Sequence, residues 1–240
     1  MSELFSNRAR CYKLLGQLSE VRPMQSKRDC ETALELKDTN VKAHLLCGQV
    51  LLCLAKEALS LDLADQGLKR MTRALTLCPS QKLQSYQKEL DLYLLRGRKL
   101  KWFIQQVNRQ TERERLLERV RIAEEGNKGT AESVKTANFL QLQKYLEDPK
   151  TELPDYFVCP LSHQLFLDPV LLPSGQSYDR SALLAYFQTN GCFDPASSDP
   201  VDPKLLFPNT TLKKAVNDYL DRNPWAFEFV PGQTLSDLVL

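Results

Sequence analysis

The run Phe157-Val158-Cys159-Pro160-Leu161, followed by Asp168-Pro169-Val170-Leu171-Leu172 and Pro173-Ser174-Gly175-Gln176-Ser177-Tyr178-Asp179-Arg180, decides how this 240-residue chain folds. A short apolar stretch enters a loop. Asp168 to Leu172 is strand-like, Pro173-Ser174-Gly175 is turn chemistry, and Gln176 to Tyr178 returns, so the segment predicts a β-hairpin. Asp179 can cap a helix that opens at Arg180 and buries Leu183, Leu184 and Phe187. A second loop over 191–203 holds Pro195, Pro200 and Pro203. After Leu206-Phe207-Pro208-Asn209 a last helix carries Leu212, Val216, Tyr219 and Leu220.

Two loops flanking a hairpin and a helix are the plan of a RING finger, where two zinc ions hold the loops. Structural zinc takes four Cys or His ligands per ion. The loop regions here offer only Cys159, His163 and Cys192, so a cross-braced zinc pair is excluded. A single site using the Cys159-x-x-x-His163 spacing stays formally open, against the reading of Cys159 as a buried thiol between Phe157 and Leu161. No metal and no cofactor is expected.

Five ordered motifs, F-x-C-P-L (157–161), D-P-V (168–170), S-G-x-S-Y-D-R (174–180), F-D-P (193–195) and L-F-P-N-x-x-L (206–212), resemble the U-box, the zinc-free relative of the RING domain. Without metal, the loops must be held by short polar side chains over a small apolar core. The expected network is Ser174, Ser177, Asp179, Arg180, Asp194 and Asn209, with Tyr178, Phe193 and Leu212 packing beneath. Removing the partner of one buried polar member costs ~1–3 kcal/mol.

The resemblance implies a ubiquitin ligase without a covalent residue of its own. Such a domain docks a ubiquitin-conjugating enzyme charged with ubiquitin, and a substrate lysine attacks the thioester; the ligase contributes proximity and pose. It also implies a docking surface at Leu161, His163, Tyr186, Pro195 and Pro200. An exposed Leu161 beside prolines suits an apolar knob for a partner loop, the alternative being a core leucine. One departure stands out: the basic residue that related ligases carry in loop two is Ser198 here. Ligase activity is therefore expected to be weaker or met by a different set of conjugating enzymes; the second reading is a scaffold whose U-box no longer recruits a conjugating enzyme.

Outward from this module the composition changes. Of thirteen prolines only Pro23 and Pro79 precede Pro149, which separates a helical half from a turn-rich half near residues 147–154. The helical half repeats: Ala33-Leu34-Glu35-Leu36 returns as Ala74-Leu75-Thr76-Leu77, and Ala9-x-x-Tyr12 as Gly48-x-x-Leu51, offsets of about 40 residues. Each unit reads as two helices with small residues where they touch, similar to tetratricopeptide repeats, with extended turns near Glu20 to Pro23 and Leu59 to Asp65. An unrelated helical bundle fits the A-L-x-L pattern too. A capping helix over 82–101 presents Leu83, Tyr86, Leu90, Tyr93 and Leu94 on one face.

From Arg96 to Lys128 the chain is basic, with Leu100, Phe103, Ile104 and Val107 at one end and Leu116, Leu117 and Val120 at the other. A long helix with a solvated face is expected, a nucleic-acid or lipid helix being the alternative. A break at Glu125 to Thr130 and a second helix over Ala131 to Leu146 complete a helical hairpin suited to dimerisation.

The fold is thus expected to be mainly α. Tetratricopeptide-like repeats with a capping helix span 1–95 and a helical hairpin 96–148. A small α+β U-box spans 152–225, and a tail 226–240. U-box ligases with such repeats clamp the acidic C-terminal peptides of heat-shock chaperones and act on their clients. The matching positions are Asn7 and Lys42, with Glu89 where an acidic clamp member lies. The family's first repeat has no counterpart, which implies a partial clamp. A formal charge of +2, no long apolar run and no basic-apolar leader argue against nucleic acid, membrane and secretion as themes. Seven scattered cysteines without C-x-x-C spacing suit a reducing compartment, cytoplasmic with the nucleus as alternative.

Overall fold

A computed structural model of the protein describes residues 1–16, 22–78, 84–126 and 151–238. It divides into a helical unit, Met1–Lys150 with Thr234–Leu240, and a C-terminal unit, Thr151–Gln233.

The helical unit holds α1 (Ser2–Gly16), α2 (Arg22–Leu36), α3 (Val41–Ala58), α4 (Leu61–Leu77) and α5 (Gln84–Gly126). α1 packs on α2 and α3 on α4, and α5 lies against α4 and α3. The offset from Ser2 to Val41 equals that from Arg22 to Leu61, so the two pairs are copies of one helical unit. Ala33 and Ala74, the repeated alanines, are both fully buried. Small residues also set the α3–α4 crossing. A Cβ on Gly48 would lie 2.9 Å from the Gly67 carbonyl oxygen, so the two backbones touch there.

Local chemistry fixes the helix ends. Asn40 caps α3 by accepting from the Ala43 amide, and Ser60 caps α4 by accepting from Leu63. The Asn40 amide also donates to Ser2 Oγ and Ser6 Oγ, and Ser2 Oγ donates to the Ala33 carbonyl. That buried knot ties α1, α2 and α3 together. The expected extended turn over Leu59 to Asp65 is only Leu59 and Ser60, because Leu59 takes the left-handed conformation and Ser60 restarts a helix at once. At the other turn α2 already begins at Arg22, and 17–21 lie outside the described residues.

α5 corrects the boundary expected at residues 95 and 96. The capping helix and the start of the basic segment are one helix, and Leu90, Leu94, Leu100 and Ile104 share a core with Val41, Leu45, Leu52 and Met71. Gly97 does not interrupt it, because its missing side chain leaves room for Leu52 and Leu68. Leu83 and the second hairpin helix over 131–146 lie outside the described residues.

The C-terminal unit contains β1 (Pro169–Leu171), β2 (Ser177–Asp179), α6 (Arg180–Asn190), β3 (Phe207–Pro208) and α7 (Thr210–Arg222). The antiparallel sheet runs β2-β1-β3, with Val170 opposite both Tyr178 and Pro208. Its core joins Val170, Leu172, Leu183, Phe187, Val216 and Leu220. The unit extends past the expected end at 225: Ala226 and Phe227 are buried, and Trp225 stacks edge-on between Tyr219 and Phe229. The expected tail is therefore divided, its last described residues belonging to the helical unit.

Candidate functional site

Two loops frame the C-terminal unit, and each is gathered around one buried aspartate. Loop one, 158–168, is closed by Cys159 N donating to Gln164 O at 2.8 Å and His163 N donating to Cys159 O at 2.9 Å. Asp179 then pins its far end. One carboxylate oxygen accepts from the amides of Leu167 at 2.9 Å and Asp168 at 3.0 Å, while the other caps α6 by accepting from the Ser181 amide and hydroxyl. Burial alone raises the pKa of this carboxyl, but those hydrogen bonds outweigh it and hold it below the ordinary value. The amide of Asp179 donates to Cys159 Sγ at 3.2 Å.

Loop two, 191–206, is gathered by Asp194, which is 2% exposed. Its carboxylate accepts from Ser174 Oγ at 2.5 Å, tying the hairpin turn to the loop, and from the Ala196 amide at 2.8 Å. Its backbone bonds Asp199 and Ser198. The buried Tyr178 hydroxyl lies beside the same carboxylate, and burial together with that charge pushes the phenol pKa up. Asn209 closes the third side, donating from its amide to Ser177 Oγ and capping α7 through the Leu212 amide.

These bonds join Ser174, Ser177, Asp179, Asp194 and Asn209, five of the six expected network residues; the sixth is Arg180. Its Nε donates to Asp168 at 2.8 Å, and Lys213 reaches the other oxygen of the same carboxylate at 3.2 Å. Burial works to raise the Asp168 pKa, yet the two cations hold it below its ordinary value. Asp168 was missed as a network member, although the D-P-V motif contained it. Phe193 is a second correction. It is 47% exposed rather than packed beneath the loop, because its ring turns outward against Gly191.

Of the expected docking residues, His163 and Pro200 are exposed, and Leu161, Tyr186 and Pro195 are half-buried; none is sealed in the core. His163 sits in the left-handed backbone region, φ 53°, at the tip of loop one. Ser198, in place of a basic residue, is also left-handed and exposed. Cys159 is fully buried, as an inert thiol should be. Among the described residues no cluster of three metal-ligating side chains occurs, and no helix is long and apolar enough to cross a membrane. In the helical unit the expected clamp residues Asn7, Lys42 and Glu89 are exposed on α1, α3 and α5, and α3 packs against both of the others.

The U-box domain family matches residues 153–225. The E3 ubiquitin-protein ligase CHIP of Arabidopsis thaliana is 30% identical over an alignment that covers 93% of this chain and 82% of that protein. This chain belongs to the CHIP family of U-box E3 ubiquitin ligases. Further relatives match shorter stretches of this chain. The WD repeat, SAM and U-box domain-containing protein 1 of Danio rerio is 40% identical over 26% of this chain and 13% of its own length. The U-box domain-containing protein 40 of Arabidopsis thaliana is 40% identical over 30% of this chain and 12% of its own. The CHIP relationship thus reaches through the helical unit, and the braced loops are those of a CHIP-type U-box.

Proposed function

We propose that the U-box docks a ubiquitin-conjugating enzyme charged with ubiquitin through Leu161, His163, Tyr186, Pro195 and Pro200. It holds the thioester for attack by a substrate lysine without taking ubiquitin onto itself. The observation that carries this reading is the pair of buried carboxylates, Asp179 and Asp194, each fixing one loop by several hydrogen bonds while these side chains keep an accessible face. Rigid loops hold an acceptor complex in one pose, which is the contribution proximity catalysis requires. The buried Cys159 supports transfer without a covalent ligase intermediate.

The helical unit recruits the substrate in this proposal. Asn7, Lys42 and Glu89, exposed on three neighbouring helices, form a partial clamp for the acidic C-terminal peptide of a heat-shock chaperone, which delivers misfolded clients. α5 supports self-association: past Asn108 it carries the exposed apolar residues Leu116, at 41%, and Ile122, at 58%. A homodimer of this kind works in the cytoplasm or nucleus, where buried thiols such as Cys30, Cys47 and Cys159 stay reduced.

The test is single-turnover discharge of ubiquitin from a panel of charged conjugating enzymes by the full chain. Discharge that falls at least tenfold with Leu161→Ala, in protein of unchanged melting behaviour, supports the ligase reading. Ser198 favours the scaffold as a second reading, since a basic side chain is the usual group for pinning a partner carbonyl. Absence of discharge with every enzyme of the panel, with chaperone-peptide binding retained, establishes the scaffold instead.

A further inference from the structure

The segment Thr234–Leu238 carries its own local structure. Residues Leu235–Asp237 form one 3-10 turn, closed by a capping box in which Thr234 N and Thr234 Oγ1 both donate to Asp237 Oδ2, at 2.8 and 2.7 Å. The turn therefore holds its shape through its own side chains, which lowers the ordering cost of docking. Its apolar residues, Leu235 and Leu238, fall three apart and pack on the core made by α3, α4 and α5. Lys56, in the last turn of α3, donates from Nζ to the carbonyls of Ser236 at 3.0 Å and Leu238 at 2.8 Å. Two apolar anchors and one ammonium across the carbonyl end of a preformed turn make a receptor site for a short segment.

This site differs from the clamp proposed above. Lys42 lies in the first turn of α3 and Lys56 in the last, about 20 Å further along the helix axis. The chain leaves the helical unit after Lys150 and returns to it at Thr234. The turn is only partly covered, and Thr234, Ser236 and Asp237 stay exposed, so its hold rests on the two leucines and the lysine.

We propose that the Lys56 edge of the helical unit is a peptide-docking site whose resident occupant is the chain's own Thr234–Leu238 segment, bound as a releasable strap. Tethering places the segment at an effective concentration on the order of millimolar, so a free copy of the same segment is excluded until the strap is released. This docking requires neither ubiquitin transfer nor chaperone binding, and its test reads neither.

A fluorescent peptide with the sequence of residues 231–240 is titrated into the full chain and into the full-length Leu235→Asp/Leu238→Asp variant. Both leucines are partly exposed, so the variant keeps its fold, which far-UV circular dichroism and melting verify. The expected result is binding to the variant at least about tenfold tighter than to the wild-type chain, and loss of about tenfold on adding Lys56→Gln. In parallel, Lys56→Gln alone speeds amide exchange at 235–238 in the otherwise wild-type chain. Equal peptide affinity for both chains, binding to neither, or indifference of both readouts to Lys56→Gln overturns the proposal.

Discussion

The hydroxyl of Ser174 donates to the carboxylate of Asp194 at 2.5 Å, joining the hairpin turn to loop two. In a RING finger a metal ion makes such a bond between chain segments; here a serine and an aspartate make it.

Replacing Asp194 with alanine strands the Ser174 hydroxyl and the Ala196 amide and leaves Tyr178 beside a cavity. The expected loss is about 2–3 kcal/mol in the U-box, and Ser174→Ala costs less because Asp194 keeps its backbone partner. Urea denaturation with amide exchange read over 191–206 measures both. Added zinc restores neither variant if the brace is hydrogen-bonded.

Asp179 and Asp168 both have depressed pKa values in the folded state. Each therefore contributes stability that is complete above the unfolded-state pKa of about 4 and is lost as the pH falls below it, toward the folded value. The U-box should unfold progressively in acid below about pH 4. The Asp179→Asn variant should be less stable at neutral pH and show a shallower acid limb, measured as unfolding free energy against pH.

Cys159 Sγ is the acceptor for the Asp179 amide. Cys159→Ser keeps an acceptor at that place, so ubiquitin transfer should persist in proportion to the folded fraction, with no thioester on the chain in a non-reducing gel. Cys159→Ala leaves the amide without its partner and should cost about 1–3 kcal/mol. Abolished transfer by a fully folded serine variant would contradict the non-covalent route.

Gly48 and Gly67 let α3 and α4 touch. A Cβ at Gly48 meets Met71 Cγ at 2.5 Å and the Gly67 carbonyl at 2.9 Å, and the latter cannot move without parting the helices. Gly48→Ala should destabilise the helical unit by about 1–3 kcal/mol. Gly97→Ala should cost less, because its close neighbours are the flexible tips of Leu52 and Leu68. Guanidinium unfolding followed by circular dichroism ranks the two, and amide exchange within 151–233 should not change.

Much of the site was legible because its chemistry is carried by short motifs. Asp179 and Asn209 cap the helices that follow them, an interaction that spans three residues or fewer. Ala33 and Ala74 could be found from repetition, since a helix contact tolerates only small side chains. The pairing of Ser174 with Asp194 was less accessible: both residues could be named as bracing groups, but their meeting depends on how the hairpin and loop two fold together. Phe193 was misplaced for the same reason, an aromatic residue in a loop having no periodicity to say which way it faces.

The hairpin, the Asp179 cap and the paired helices follow from local sequence, because each depends on residue type and near spacing. Packing across the fold is what set Arg180 against Asp168, knotted Asn40 to Ser2 and Ser6, carried α5 unbroken past residue 95, and brought Lys56 to the carbonyls of Ser236 and Leu238. Hydrogen bonds between residues far apart in the chain form only after apolar faces have chosen their neighbours, and that choice is made by packing over the whole unit rather than by any one stretch of chain.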